Sequence, residues 1–385
     1  MNGSAMKILM LNYEFPPIGG GGGQAHRALL EQYAGREGLT VDVLTCAPKP
    51  GFFTERFSDN IAIFRMGVRK KDLHFWRRSE VAEWLLKAGA CHRQLVKSGG
   101  YDLVHAFFGF PTGWLCYRTR RKTPYIISLR GSDVPGANAR LKLEYALLGP
   151  LAFKPIWRKA ADIVACSDGL RKRALKFLPS AEIEVIPNGV DLNRFRPASI
   201  RPKGRRTGEP LKLLTVGRLS ATKRVPLLLD AVALLRGKGC DARLTIAGGG
   251  ALESELRDAI HAKGLNDAVV LAGRCEPERM PQMYQEHDAF VSASMQEGMS
   301  NAMLEAMASG LPIVTTRCEG VDELIGDNGT VVEAAEPAEL AEAVTTLAED
   351  PPLWASMSIA ARRQAERFAW SRAAEAYLQL YARVT

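Results

Sequence analysis

Two acidic residues lie eight positions apart in the stretch EGMSNAMLEAMASGLP, residues 297–312. Its alanine, methionine and leucine content predicts a helix, which Ser300 or Asn301 is suited to cap. Glu297 would then lie before the helix and Glu305 inside it. A nucleotide diphosphate bound to the free N–H groups of the helix start would have a carboxylate on either side to accept hydroxyls. Two acids at this distance also occur by chance, so the pattern alone favours neither interpretation.

The segment Gly217–Lys223 (GRLSATK) directly follows an apolar run, 211–216, that predicts a buried strand. Arg218 can bind a phosphate through two parallel N–H groups, and Lys223 can add a point charge. An ordinary solvated loop with two cations would have the same composition. The position at the end of a strand is what favours a phosphate site.

A run of glycines, Gly19–Gly23, lies between a predicted strand and a predicted helix. Without β-carbons, Gly20, Gly21 and Gly22 would let backbone N–H groups approach an anion at the helix start. No Gly-Lys-Ser/Thr sequence ends the run, so it is not a Walker loop. A flexible turn without a ligand is the alternative.

Short apolar strands and amphipathic helices alternate along the chain in two series separated by the polar segment 198–210. Such alternation predicts parallel sheets covered by helices on both faces. We therefore predict two doubly wound α/β domains, residues 1–190 together with a terminal helix 368–385, and residues 191–367. Ligands of such sheets bind beyond the carboxyl ends of the strands, so we expect the site in a cleft between the domains.

The predicted strands and helices are as follows. In the first series, strands are expected at 7–15, 41–45, 61–66, 103–105, 125–129, 161–165 and 184–186, and helices at 24–35, 80–96 and 139–148. In the second series, strands are expected at 211–216, 243–247, 269–272, 289–291, 313–315 and 330–332, and helices at 225–236, 252–263, 277–286, 301–309 and 337–348.

Composition limits the class of protein. The chain has 385 residues, and its longest apolar run near the start is too short for a signal peptide or membrane span, so we expect a soluble protein. Seven scattered cysteines without a C-x-x-C pair suit a reducing cytoplasm. The histidines and cysteines lack zinc spacing, and no metal site is predicted.

Charge is distributed unevenly between the two halves. Residues 1–190 contain 28 lysines and arginines against 16 acids, a net charge of +12, whereas the remainder carries −3. A basic half suggests an anionic partner, such as membrane headgroups, a phosphorylated acceptor or nucleic acid. No aromatic platform or recognition motif supports nucleic acid.

Cations and aromatic residues are interleaved in the first half, in the arrangement of an interfacial membrane surface. The alternative is a solvated helix face whose tryptophans pack inward. We hypothesise that the first domain rests on the inner leaflet of the plasma membrane. The residues concerned are Arg69–Lys71, Phe75–Arg78, Trp84, 141–153 and Trp157–Lys159.

Five elements occur in one order, and together they resemble the retaining glycosyltransferases of family 4, which have the GT-B fold. These elements are the glycine run, Asn188–Asp191, Gly217–Leu219 with Lys223, Ala272–Arg274 and the two acids Glu297 and Glu305. The resemblance covers nearly the whole chain and is strongest over 186–312. It implies two Rossmann-like domains facing across a cleft, with the C-terminal helix crossing back to the first domain.

The resemblance also implies roles for individual residues. Arg218 and Lys223 would neutralise the departing diphosphate, and Glu305 would hold the ribose. Glu297 and the backbone after it would hold the donor sugar, and Arg274 would face the base. The donor site would therefore comprise Gly20, Gly21, Gly22, Gly217, Arg218, Lys223, Arg274, Glu297, Gly298, Met299, Ser300, Asn301 and Glu305.

The implied reaction moves a hexose or N-acetylhexosamine from a nucleotide sugar to an acceptor hydroxyl with retention of configuration. The leaving phosphate would take the acceptor proton on the same face of the sugar, so neither a protein nucleophile nor a metal or other cofactor is expected. UDP is favoured over GDP because Ser300-Asn301 after Gly298-Met299 resembles some UDP-dependent relatives. A lipid-linked or polysaccharide-precursor glycan is the expected acceptor.

The first half departs from the family pattern, in which histidines often occupy two positions that are Phe107 and Arg130 in this chain. His105 is therefore either a catalytic or donor-binding residue or a hydrogen-bonded core histidine. Arg130 and Asp133 are predicted on the acceptor side, with an internal ion pair as the alternative.

Three other functions stay open. A GT-B phosphorylase would use inorganic phosphate, and an epimerase would isomerise a nucleotide sugar without an acceptor. A non-catalytic protein would bind the nucleotide sugar and show neither transfer nor hydrolysis.

Overall fold

The computed structural model describes residues 5–73, 75–136, 149–198 and 209–385. It divides into two compact units, one formed by 1–188 with 370–385 and the other by 189–369. The predicted helix 139–148 and most of the polar segment 198–210 lie outside the described residues.

The first unit, unit 1, is built on an eight-stranded sheet in the order β3-β4-β2-β1-β5-β6-β7-β8, parallel throughout except for β3. Its central strands are buried on both faces, as their continuous apolar runs predict. The strands are β1 (Met6–Leu11), β2 (Leu39–Ala47), β3 (Phe52–Ser58), β4 (Ile61–Gly67), β5 (Leu103–Phe107), β6 (Tyr125–Leu129), β7 (Asp162–Ala165) and β8 (Glu184–Val185).

Helices cover both faces of this sheet. They are α1 (Gly21–Tyr33), α2 (Arg78–Ser98), α3 (Thr112–Thr119), α4 (Lys154–Arg158), preceded by a π-helical turn at Gly149–Phe153, and α5 (Asp168–Phe177).

The C-terminal helix, Trp370–Val384, belongs to unit 1 although the chain has passed through the second unit before reaching it. Its Tyr377, Leu380 and Tyr381 are buried in the same apolar core as β1 and α1. The prediction that this helix crosses back to the first domain is confirmed.

The second unit, unit 2, has a six-stranded parallel sheet in the order β11-β10-β9-β12-β13-β14. This is the strand order of a doubly wound nucleotide-binding fold, and its direction reverses between β9 and β12. The strands are β9 (Leu211–Val216), β10 (Ala242–Ala247), β11 (Val269–Gly273), β12 (Ala289–Ser292), β13 (Ile313–Thr316) and β14 (Gly329–Val332).

The helices of unit 2 alternate with its strands, after a 3-10 turn at Ala221–Lys223. They are α6 (Val225–Gly237), α7 (Glu253–Ala262), α8 (Met280–Gln285) after a second 3-10 turn at Pro277–Arg279, α9 (Asn301–Ala308), α10 (Val321–Leu324), α11 (Pro337–Glu349) and α12 (Pro351–Ala365). The predicted α/β class with two Rossmann-like sheets is confirmed.

Several local predictions were wrong or incomplete. Strand β1 ends at Leu11 rather than Phe15, and the helices α3, α5 and α12 were not predicted. The edge strand β3 was not predicted, because its exposed residues carry no burial pattern and its backbone pairing with β4 holds it in place. The first helix begins at Gly21 rather than Gln24, so three glycines of the predicted loop form its first turn.

The proposed membrane surface is only partly exposed. Trp84 and Trp157 are 0% and 3% exposed, and the Lys70 side chain is buried in an ion pair with Glu80 at 2.7 Å. These tryptophans pack inward because their rings fill the core of unit 1, which corrects that part of the prediction. Among the described residues, no helix is both long and apolar enough to span a lipid bilayer.

Candidate active site

Three glycine-containing loops at the carboxyl ends of β9, β10 and β11 are joined backbone to backbone. The N–H of Gly217 donates to Ala247 at 2.9 Å, and the N–H of Gly248 donates to Gly273 at 2.7 Å. A β-carbon on Gly248 would lie 1.9 Å from the carbonyl oxygen of Gly217, so only glycine permits this approach. Arg274 packs over Gly249, so the residue predicted to face the base lies at these loops.

A pocket opens where the strand order reverses, between the carboxyl ends of β9 and β12. This is the position at which doubly wound sheets bind nucleotides. The residues that line it include Gly217, Arg218 and Lys223 from the loop after β9 and Ser292, Ser294 and Ser300 from β12 and the loop after it.

One of the two predicted cations, Lys223, contacts the predicted acid Glu297. Lys223 Nζ forms an ion pair with Glu297 Oε1, and Ser294 Oγ donates to the same oxygen at 2.9 Å. Lys223 also packs against Gly217, where a side chain would crowd its ammonium group. Arg218 is exposed at the pocket. Positive charge, a carboxylate and serine hydroxyls therefore converge within one unit.

The helix α9 begins as predicted. Ser300 is its cap, with Oγ accepting from the N–H of Met303 at 3.3 Å, and Asn301 is its first residue. Gly298 and the buried Met299 link Glu297 to this cap.

Glu305 lies inside α9, and its carboxyl is enclosed although the residue keeps some exposed surface. The hydroxyl of the fully buried Tyr284 donates to Glu305 Oε2 at 2.8 Å. Burial raises the pKa of Glu305 to about 7, against the opposing effects of the Tyr284 hydrogen bond and the positive charge of Arg194. This carboxyl therefore changes its charge near neutral pH.

The glycine run of unit 1 lies at the start of α1, next to Glu14 and Phe108. Gly20 caps α1, and its N–H donates to Glu14 Oε2 at 3.3 Å, while Gly21 and Gly22 lie within the first turn. A β-carbon on Gly22 would lie 2.7 Å from the ring of Phe108. The packing of Phe108 thus accounts for Gly22 without a ligand, while the predicted role of Gly20, Gly21 and Gly22 toward the donor remains a prediction.

His105 lies on β5 and is completely buried. Its Nδ1 is 2.7 Å from the hydroxyl of Tyr381, and its Nε2 is 2.7 Å from Ser128 Oγ. Burial holds its pKa well below the usual value, so the ring is neutral. With both nitrogens bonded inside the core, His105 fits the core interpretation and not that of a substrate ligand.

Arg130 and Asp133 organise one loop of unit 1. Both oxygens of the buried Asp133 accept backbone N–H groups, from Gly109 at 2.7 Å, Arg130 at 2.9 Å and Gly131 at 3.0 Å. Arg130 Nη1 donates to Asn188 Oδ1 at 2.7 Å. Asp133 therefore shapes the loop, whereas its predicted role toward an acceptor remains a prediction.

Two polar residues that the sequence analysis missed belong to the site of unit 2. Ser294 is 1% exposed and holds Glu297, and Arg224 links the loop after β9 to the ends of β12 and β13. Both are common residue types without a distinctive spacing, so no sequence pattern indicated them. Among the described residues, no cluster of three or more histidine, cysteine or acidic side chains could hold a metal ion.

Two family models match the chain. The model described as Glycosyltransferase Family 4 matches residues 20–194, and the model described as Glycosyl transferases group 1 matches residues 210–350. The two matches together extend over most of both units.

Two relatives and one solved structure extend these matches. A D-inositol 3-phosphate glycosyltransferase of Arthrobacter sp. (strain FB24) is 34% identical over 209 residues, which are 52% of this chain and only 49% of that protein. The glycogen synthase of Mycobacterium tuberculosis is 29% identical over 98% of this chain and 94% of its own length. The structure of Anabaena Alr3699/HepE in complex with UDP-glucose matches with a TM-score of 0.75 at 19% identity, over 98% of this chain and 99% of that one. This similarity confirms the GT-B fold.

Proposed function

Because this chain belongs to the family 4 glycosyltransferases, we propose that it transfers a hexose or N-acetylhexosamine from UDP to an acceptor hydroxyl with retention of configuration. The observation that carries the proposal is the convergence of Arg218, Lys223 and Glu297 at the strand-order reversal of unit 2. Cations there suit a diphosphate, and a carboxylate suits sugar hydroxyls.

Each group has a distinct task in this reaction. The donor diphosphate replaces Glu297 as the partner of Lys223, and the exposed Arg218 binds it as well. Glu297, still held by Ser294, accepts hydroxyls of the donor sugar. The two cations stabilise the charge that develops on the diphosphate as the glycosidic bond breaks, so the proposal requires no metal.

One observation supports UDP as the nucleotide, and a second supports a ribonucleotide of either base. A structure of the same fold was solved with UDP-glucose, which is a statement about that protein alone. In this chain, Glu305 lies one to two helical turns beyond the cap Ser300, a placement suited to ribose hydroxyls when a diphosphate binds at the helix start.

The test is donor turnover in three purified proteins, the wild type, Arg218→Ala and Glu297→Gln, with UDP- and GDP-sugars. We expect each variant to lose at least about a hundredfold in kcat/KM, since each loses an interaction with developing charge or with the reacting sugar. Unchanged turnover in both variants would refute the site. Arg257→Ala, which alters an exposed ion pair of α7, serves as the control.

Product analysis separates the alternative functions. A phosphorylase would need inorganic phosphate, an epimerase would convert the donor without acceptor, and a non-catalytic protein would bind UDP without transfer or hydrolysis. Retention is read from the anomeric configuration of the product.

For the acceptor we propose a lipid-linked glycan at the inner face of the plasma membrane. The exposed side chains Leu73 and Phe75, 38% and 45% accessible, lie between the exposed cations Arg69, Lys71 and the pair 77–78. Apolar groups flanked by cations suit an anionic bilayer surface.

Sedimentation with phosphatidylglycerol vesicles tests this location. Binding should fall between 50 and 500 mM salt, and a Leu73→Ser/Phe75→Ser variant should bind several-fold more weakly. Leu86→Ser, at a 79% exposed position of α2, is the matched control. Salt-independent binding, or no binding, would contradict the membrane proposal without affecting the donor site.

A further inference from the structure

Arg224 has a backbone conformation that is unusual for a residue with a side chain. Its φ of 45° and ψ of 41° place it in the left-handed region, where a β-carbon is crowded. It lies between the 3-10 turn Ala221–Lys223 and helix α6, so it directly follows Lys223. A strained residue at this place indicates that its side chain has a compensating role.

The guanidinium of Arg224 is directed at two other strand ends. Its Nε donates to the carbonyl oxygen of Ala293 at 2.7 Å, and its Nη2 donates to Thr316 Oγ1 at 3.1 Å. Ala293 directly follows β12 and Thr316 ends β13, and each is 1% exposed. One side chain thus ties the loop after β9 to the two neighbouring strand ends.

These contacts close a ring through the candidate site. Thr316 Oγ1 donates to the carbonyl oxygen of Ser294 at 3.2 Å, and Ser294 Oγ donates to Glu297 at 2.9 Å. Glu297 pairs with Lys223, whose neighbour along the chain is Arg224. Every member of the ring therefore restrains the position of the Lys223 ammonium relative to the Glu297 carboxylate.

We propose that Arg224 is a positioning residue for donor binding, an inference that rests on the donor site proposed above. Arg224 does not touch the donor. It holds the Lys223 loop against the loop of Ser294. The Lys223 ammonium and the Glu297 carboxylate therefore keep their relative positions when the donor diphosphate and the donor sugar replace their ion pair. A site held in this way loses less conformational freedom on binding.

The first test is Arg224→Gly, because glycine adopts a positive φ freely, so the variant loses the side chain and its hydrogen bonds without strain in the backbone. Although the whole side chain is removed, the relief of backbone strain offsets part of the lost contacts, so we expect its melting temperature to stay within a few degrees of the wild type and its Kd for UDP, measured by calorimetry, to rise about threefold to thirtyfold. Arg224→Lys keeps the charge without the planar fork and should lose as much. Wild-type affinity in either variant would overturn the proposal.

Thr316→Val provides a second test that leaves Arg224 in place. Valine has the shape of threonine and lacks the hydroxyl that joins Arg224 to Ser294, so UDP binding should weaken, by less than in Arg224→Gly. The control is Arg236→Ala, which should bind UDP as the wild type does. Arg236 lies in the last turn of α6, the helix that follows Arg224, and donates to Asp267 at 2.6 Å. Equal affinity of Thr316→Val and the wild type for UDP would refute the role of this ring of contacts.

A double variant distinguishes positioning from general destabilisation. If Arg224 acts through Lys223, then Lys223→Ala/Arg224→Gly should bind UDP no more than about twofold more weakly than Lys223→Ala alone. Additive losses would show that Arg224 acts elsewhere. If Lys223→Ala itself binds UDP normally, the proposed donor site is wrong, a result distinct from failure of the Arg224 proposal.

Discussion

The carboxyl of Glu305 shows how a residue acquires its chemistry from its surroundings. In water a glutamate is ionised at neutral pH, but enclosure beside Tyr284 raises the pKa of Glu305 to about 7. In its proposed role as a ribose ligand, it would accept two hydroxyls best when ionised. Hydroxyl donation to a carboxylate stabilises the ionised form, so donor binding and proton loss from Glu305 should be coupled.

We therefore expect the affinity for UDP to weaken as pH falls from about 8 to about 6, because a growing fraction of Glu305 is protonated below its pKa. Binding near pH 6 should release protons, which calorimetry in two buffers of different ionisation enthalpy measures. Glu305→Gln stays neutral throughout and should bind more weakly with a flatter pH dependence. The same pH dependence in Glu305→Gln would assign it to another group.

At the scale of elements, the candidate pocket of unit 2 depends on three loops whose backbones are hydrogen-bonded directly to one another. Gly248 and Gly250 each allow a backbone approach that a β-carbon would block, whereas Gly217 leaves room for the Lys223 side chain. Because the loops after β9 and β10 hold each other, the position of Arg218 and Lys223 depends on residues that contact no ligand.

Gly248→Ala should destabilise the protein by about 2–4 kcal/mol, since its β-carbon would meet the Gly217 carbonyl oxygen and its φ is 138°. Urea unfolding measures the free energy, and UDP binding should weaken in parallel. Gly237→Ala, in a helix with open space around it, is the control and should be neutral or stabilising by up to about 1 kcal/mol. Equal stability of the two variants would contradict this account of the loops.

At the scale of the whole chain, the C-terminal helix completes a core that begins with the first strand. Leu380 and Tyr381 are fully buried among residues of β1, α1 and β5. The core of unit 1 therefore includes the helix Trp370–Val384, which follows unit 2 in the sequence.

Leu380→Ala should cost about 2–5 kcal/mol, the usual range for removing a fully buried leucine side chain. Hydrogen exchange should locate the loss of protection in β1, α1 and β5, whereas β9 and β10 of unit 2 should keep theirs. Ile359→Ala, at a 71% exposed position, should change little. Loss of protection spread evenly over both units would show that they unfold as one.

Much of the framework was predictable because it depends on local periodicity. The apolar run of β9 and the start of α6 were predicted to the residue, and the cap of α9 was one of two candidates. The residues Arg218, Lys223 and Glu297 could also be predicted as candidate site residues, because polar groups at the carboxyl ends of parallel strands converge. The alternation of strands and helices thus determined the fold class and the candidate donor site.

Only the tertiary structure decided which polar groups already have hydrogen-bond partners within the protein. Glu14 accepts a hydrogen bond from the N–H of Gly20, and the two ring nitrogens of His105 are hydrogen-bonded to Ser128 and Tyr381. Arg224, next to Lys223, donates to the carbonyl oxygen of Ala293, which is far from it in the sequence. Hydrogen-bond partners and burial depend on three-dimensional packing, which a one-dimensional pattern does not specify. The sequence alone therefore determined most of the strands and helices and placed the candidate site at the carboxyl ends of the parallel strands. Packing determined the charge, the exposure and the hydrogen-bond partners of each side chain at that site.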